Sequence, residues 1–236
     1  MKTLTDNLNL SMLELLSVLL PGAVSVAVLG QIDYVHGAVE SLLLSNSDWQ
    51  QGIGYFAASF FMGYLIYVLS SPIDEGFDWL KKKAVQERKQ VGMVFTHKGT
   101  KCWAWIFFPH IEDTYLLINR ILPYKLRDLG DIDAHPINAY QYCYRRLMIE
   151  GYAHMFSEVD RYQATAKFFR SMAVVWFLAF FVLISTDYRW VPLVLFLVSL
   201  RIYLSRWQKA LHVAYKNILI LEGLAKSNAI KSNVAH

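Results

Sequence analysis

The sequence predicts an all-α membrane protein, with four transmembrane helices in two hairpins and a largely helical cytoplasmic domain between spans two and three. Three observations predict it. Apolar residues make up 55% of the 236 and charged residues only 18%, with a mean hydropathy of +0.29, a balance too apolar for an ordinary soluble domain. The apolar excess is concentrated at about residues 12–29, 53–70, 168–185 and 190–204, each near the ~17 to 25 residues a tilted spanning helix needs. Basic residues are absent from the loop between the first two stretches and abundant in the segment between the second and the third. The resulting plan is a first hairpin over 1–72, a cytoplasmic domain over 73–167, a second hairpin over 168–206, and a cytoplasmic C-terminal helix and tail over 207–236.

The first stretch is read as a retained span rather than a cleaved signal. Lys2 is the only basic residue ahead of it, the acids Asp6 and Glu14 precede or enter it, and no compact small-residue cleavage site follows at Gly30 to Tyr34. Pro21 and Gly22 stand in its middle. Proline removes one backbone hydrogen bond inside lipid, so a kink is expected there, a candidate hinge or pore-lining bend unless Ser17, Ser25 or a neighbouring helix satisfies the freed carbonyl.

The second stretch carries Gly54, Ala57, Ala58 and Gly63 among Phe56, Phe60, Phe61 and Tyr64. Small residues let helices approach closely where hydrophobic exclusion no longer drives association, so Gly54, Ala58 and Gly63 are candidate packing positions, within the chain or between copies. Ser70, Ser71 and Pro72 end the span. Asp74, Glu75 and Asp78 followed by Lys81, Lys82 and Lys83 then suggest a charged helix at the inner surface, acids first as the helix dipole favours.

From 92 to 136 the pattern is mixed. Trp103, Trp105, Phe107 and Phe108 mark a buried strand or an interfacial segment, 114–122 a short helix too brief and too charged to span, and 129–136 a loop. Beyond Pro136, Tyr140, Tyr144, Leu147, Gly151, Met155, Val159 and Tyr162 recur at three- and four-residue steps on one helix face. That helix is expected to run unbroken into span three, on the order of 70 Å in all. A matching extension of span four through Trp207, Leu211, Ala214, Ile218 and Leu221 should lie beside it.

Translocation of Lys and Arg in short loops is disfavoured, which turns the basic residues into an orientation. The loop over 31–52 holds Asp33, Glu40 and Asp48 and no Lys or Arg, so it faces outward; the central segment and both termini face the cytoplasm of a cell inner membrane. The net charge of +4 is accounted for mainly by this topology and by anionic inner-leaflet lipid, which disfavours nucleic acid as the partner. Cys102 and Cys143 fall on the reducing side, where no structural disulfide is expected.

No catalytic, cofactor or metal residue is assigned. His110, Glu112 and Asp113, and Asp131, Asp133 and His135, form two clusters without a known zinc or hydrolase spacing, and P-loop, nucleophile-elbow and paired CxxC motifs are missing. Charges near lipid say more. Arg201 comes only 12 positions after Arg189, a rise of ~18 Å against a hydrocarbon core of ~30 Å, so snorkelling, thinning of the bilayer or a watery bundle interior must accommodate the shortfall. Glu14 poses the same question in span one and is a conceivable partner for Arg201 or Arg206. Lys167 and Arg170 are expected to anchor the end of span three, with Glu158, Asp160 and Arg161 as surface charges. Trp103, Trp105, Arg145 and Arg146 are the candidate sensing residues of the cytoplasmic domain.

The LLPG of span one, the GYLIYVLSSP that closes span two and the EVDRYQATAKFFRS ahead of span three resemble small uncharacterised multi-span bacterial membrane proteins of mobile-element and defence loci. The resemblance covers the membrane-adjacent parts, names no single family and implies no functional residue. It implies antiviral defence as the setting, with membrane depolarisation as the output. The expected function is a non-enzymatic, oligomeric, channel-like or membrane-perturbing protein gated by a ligand or protein partner at its cytoplasmic domain. The alternatives are a membrane anchor or scaffold for a cytoplasmic partner and, third, a membrane enzyme acting on lipid or nucleotide.

Overall fold

The structure, a computed structural model, describes residues 2–31, 37, 48–77, 79, 111–130, 137–150, 152–184 and 188–234. It is helical, with no strand among the described residues. The elements are α1 (Lys2–Leu29), α2 (Asp48–Leu69), α3 (Ile111–Leu129), α4 (Ala139–Ile149), α5 (Ala153–Val182) and α6 (Trp190–Val234). Three helical stretches are long and apolar enough to cross a membrane, Gly52–Phe77, Ala153–Val182 and Trp190–Ala225, and Leu15–Leu29 is a shorter apolar stretch of α1. The aromatic segment at Trp103 and Trp105 and the clusters around His110 and Asp131 lie outside the described residues, as do the side chains of Glu112 and Asp113.

The α5–α6 pair is the axis of the molecule and its most extensive helix contact. The two run antiparallel: Phe177 meets Phe196 at 5.6 Å between ring centroids, Ala166 packs with Tyr203 and Leu204, and Val159 shares a core with Leu211, Ala214 and Tyr215. Ala166 on α5 and Ala214 on α6 are buried in these contacts and keep the seam narrow. Small side chains bring the helix axes close enough for dispersion contacts in water and lipid alike.

At the apolar end α1 packs against α2 and α5. Gly22 and Gly63 allow the α1–α2 approach, because a Cβ on Gly22 would fall 1.7 Å from the Ser59 carbonyl oxygen and one on Gly63 2.0 Å from that of Val18. Of the expected packing positions Gly63 is buried at this contact, whereas Gly54 and Ala58 are half-buried. The helix continues through the buried Pro21, and the Ser25 hydroxyl donates to the Pro21 carbonyl oxygen at 2.8 Å. Outward from this end stand Phe56, Phe60, Phe61, Tyr64, Phe181, Val194 and Leu197, an exposed apolar surface suited to lipid rather than water.

At the polar end α3 and α4 pack on α6, with a compact core of Ile121, Cys143, Leu147, Val159 and Ile218, none of them accessible to solvent. Each large aliphatic side chain withdrawn from water here contributes about 1.5–3 kcal/mol. The expected unbroken helix from 137 into α5 is not formed. Asn138 opens α4 with a capping box, its side chain accepting from the Gln141 N–H while the Gln141 side chain accepts from the Asn138 N–H, and Glu150 closes it. The chain then turns back, since the Tyr144 hydroxyl reaches the Asp160 carboxylate at 3.0 Å although 16 residues separate them, ~24 Å along a straight helix. Glycine at 151 weakens a helix at that point, and folding back lets α4 cover both α5 and α6. The expected extension of span four is present, as the 45 residues of α6.

Candidate functional site

Two polar constructions stand out on this frame, one at the polar end of the paired helices and one part-way along them. The first is at the polar end, where α3, α4 and α6 converge. Glu222 on α6 has a side chain only 5% exposed and takes both nitrogens of the Arg127 fork, at 2.9 and 3.1 Å, while Arg146 Nη2 approaches it at 2.6 Å. Asp128 accepts from Arg127 Nε at 2.8 Å and from the Tyr142 hydroxyl at 2.6 Å, and Arg146 Nε donates to Glu150 at 2.6 Å. Two guanidiniums and three carboxylates thus tie three helices together. Bidentate arginine geometry makes such contacts shorter and stronger than neutral hydrogen bonds.

The charges settle one another. Partial burial works against the Asp128 carboxylate, but the Arg127 and Tyr142 hydrogen bonds outweigh it and hold its pKa below the usual range. Burial also works against the Arg146 cation, and its bonds to Glu150, Glu222 and Tyr142 more than compensate, keeping it charged. The Tyr142 hydroxyl is pushed up by burial and by Asp128. Cys143, behind the cluster, is pushed up to about 12 by burial, which leaves a neutral thiol with no nucleophilic character at neutral pH.

The second construction lies where α2 ends. Arg170 on α5 is 5% exposed, its Nε donating to the Ser70 hydroxyl at 3.0 Å, its Nη1 paired with Asp74 and its guanidinium over the Tyr67 ring at 5.0 Å. The Tyr203 hydroxyl of α6 donates to the other Asp74 oxygen at 2.5 Å. Phe77 packs edge-on against Tyr203. A turn at Ser70 and Ser71 followed by a helical turn over 72–77 is what brings Asp74 to this place, with Ile73 N–H bonded to the Ser70 carbonyl oxygen and Asp74 N–H to that of Ser71. Arg170, expected to anchor the end of span three, is buried and paired with Asp74, and Asp160 is not the surface charge expected, being buried beneath Tyr144.

Of the other expected site residues, Arg146 belongs to the first construction and Arg145 beside it is exposed. Arg201 is exposed on α6, and Arg206 lies over the Tyr162 ring at 5.8 Å. Glu14 falls in α1, with its side chain outside the described residues. Glu222, Asp128, Arg170, Asp74 and Tyr203 were missed. For Arg170 and Asp74 a signal existed, because opposite charges stand within a few residues of the same end of two neighbouring predicted spans. For Glu222 none did, since its partners come from α3 and α4, whose packing a local pattern does not encode.

Among the described residues no group of three His, Cys, Asp or Glu is placed to hold a metal ion. Between α1, α2 and α5 is a cavity of about 30 Å³ lined by Ser25 and seven apolar side chains, among them Met62, Ile66 and Val175. Compared with family models, with curated proteins and with solved structures, the chain matches none.

Proposed function

We propose that the protein is a four-span component of the cell inner membrane, with both termini and the α3–α4 unit in the cytoplasm, that works as a non-enzymatic, channel-like or membrane-perturbing oligomer. A ligand or protein partner at the polar end is its trigger. The carrying observation is the continuity of α6. Glu222, bound by Arg127 and Arg146, and Tyr203, bound to Asp74, lie on one unbroken helix 19 residue steps apart, ~28 Å along the axis. A displacement of α3 or α4 against Glu222 is handed along a stiff rod to the ends of α2 and α5, which is the mechanical requirement for gating from the cytoplasm. The resemblance to defence-locus membrane proteins supplies antiviral defence as the setting.

The basic central segment and the acidic 31–52 loop support the orientation. The apolar stretch of α1, packed along α2 and α5, supports its membership of the bundle as the fourth span. The test is ion flux through liposomes holding the purified, correctly inserted chain, with and without Glu222→Gln to loosen the cytoplasmic cluster. Flux that rises in the variant supports gating; liposomes that stay tight with both proteins and with every partner supplied sink it.

One observation favours an anchor or scaffold instead. The apolar cavity between α1, α2 and α5 has room for about one water and few polar groups to hold it, so this cavity is not an aqueous path through one protomer. A conducting state then needs several copies. Copy number in the membrane, measured by subunit counting, separates the readings, because a monomer in lipid fits the scaffold and not the pore.

A further inference from the structure

On the α5–α6 pair Asp160, Arg170 and Glu222 have polar partners within the protein, whereas two arginines share a single aromatic ring instead. Arg161 on α5 and Arg206 on α6 both place their guanidinium carbons 5.8 Å from the centroid of one ring, that of Tyr162. The two cations are therefore at most two such distances apart, and among the described residues neither has a carboxylate partner. Lys209, exposed one turn beyond Arg206, adds a third positive charge to that face of α6. Of the nearest acids in sequence, Asp160 is buried under Tyr144, and Glu158, one helical turn before Arg161 on the same side of α5, makes no ion pair with it. Holding like charges around one aromatic face without an acid costs free energy, unless an anion completes the arrangement.

The depth of the site says which anion. Arg206 is three residues past Tyr203, ~4.5 Å along α6 from the buried Arg170–Asp74–Tyr203 cluster that marks where the apolar end stops. Headgroups occupy roughly the next 5–8 Å outside the hydrocarbon on each side of a bilayer. Arg161 stands farther out on α5, and its guanidinium reaches the same Tyr162 ring as Arg206, a ring half-buried against the helix pair. We propose that Arg161, Tyr162 and Arg206 form a binding site for the phosphate of an anionic phospholipid in the cytoplasmic leaflet, with Lys209 at its edge. The lipid completes the surface of the α5–α6 pair where it leaves the membrane, and it clamps the segment through which Glu222 and Tyr203 are joined. The leaflet assigned rests on the orientation proposed above; the chemistry of the site does not.

The test uses the full chain in mixed micelles containing equal amounts of phosphatidylglycerol and phosphatidylcholine, with retained lipid read by native mass spectrometry. The wild-type protein is expected to retain phosphatidylglycerol over phosphatidylcholine by about tenfold. R161Q with R206Q should bring that ratio close to one, and each single variant should fall between, so that the outcome does not hang on the double variant folding. Lys216→Gln removes the same charge ten residues farther along α6 and should keep the wild-type ratio. An unchanged ratio in R161Q and in R206Q overturns the site. Inorganic phosphate that displaces the lipid completely at equal concentration overturns a lipid source in favour of free phosphate. Labelling of Lys216→Cys from the outside of intact cells overturns the orientation and the leaflet, whereas inside labelling with no lipid preference overturns the site alone.

Discussion

Gly22 and Gly63 bring the backbones of α1 and α2 into a contact that leaves no room for a side chain atom, and Asp128 ties α3 to α4 through charge. The first is a matter of volume. An added Cβ would meet a carbonyl oxygen at 1.7 Å for Gly22 and 2.0 Å for Gly63, both backbone atoms that cannot rotate away. Gly22→Ala and Gly63→Ala should each cost about 1–3 kcal/mol and lower the melting temperature of the detergent-solubilised protein. Gly52→Ala, at a helical position with open space around it, should instead be neutral or gain up to ~1 kcal/mol. Equal melting of all three variants would show that α1 and α2 do not approach this closely. The second is a matter of protonation. A carboxylate held below its usual pKa contributes stability that is complete above the unfolded value, near 3.9, and is lost as pH falls through the lower folded value. Thermal melting should therefore be level from pH 7 to about pH 5 and then decline, and Asp128→Asn should flatten that decline while lowering the neutral-pH plateau. A variant that keeps the full acid slope would assign it to other carboxylates.

At the scale of elements, α4 shows both what the sequence carries and what it withholds. Its helical period was legible from Tyr140, Tyr144 and Leu147, and its fold-back was not. Periodicity reports a face, and a face that continues in phase through Gly151 looks the same whether the helix is straight or broken. The break is decided by α4 gaining contact with two helices at once, a tertiary gain that a local window does not register. The 45-residue α6 was legible for the converse reason, because no proline follows Pro192 and the apolar face persists. Small residues on α2 were recognised, whereas the alanine seam of α5 and α6 was hidden among larger apolar neighbours. Of the candidate sites, Arg146 was named, but its partner Glu222 lies 76 positions away on a helix read as an extension of a span. The packing of α4 makes its own prediction. Cys143 is buried, and its thiol is raised to about 12, so maleimide should leave it unmodified in the folded protein and label it at once in denaturant. Brisk labelling of Cys143 under native conditions, resolved from Cys102 by peptide mapping, would mean that α4 swings away from α5 and α6 on the timescale of the reagent.

The whole molecule carries two different lengths across its apolar end. From Trp49 to Ser70, α2 offers 21 residue steps, ~32 Å, which matches a hydrocarbon core of ~30 Å. From the buried Arg170 to Leu183 at the end of α5 there are only 13 steps, ~20 Å, and on α6 the exposed Arg201 stands 12 residues, ~18 Å, from Arg189, whose guanidinium lies over the Trp190 ring. Pairing with Asp74 meets the charge of Arg170 within the protein, but in a bilayer Arg201 would have to reach the headgroups itself, so the α5–α6 side is expected to draw the bilayer thinner than the α1–α2 side does. Each ångström of mismatch costs a fraction of a kcal/mol, and a ~10 Å shortfall shared between snorkelling and thinning leaves a dependence on lipid length large enough to measure. In nanodiscs of matched headgroup, the melting temperature should be highest with 14-carbon acyl chains and fall by several degrees with 18-carbon chains. Arg201→Leu extends the apolar face of α6 toward Tyr203 and should move the optimum to the longer lipid without altering the Arg170–Asp74 pair. A wild-type profile that is flat across chain lengths would mean that α5 and α6 set no thickness of their own, and that α2 tilts to fit whichever bilayer surrounds it.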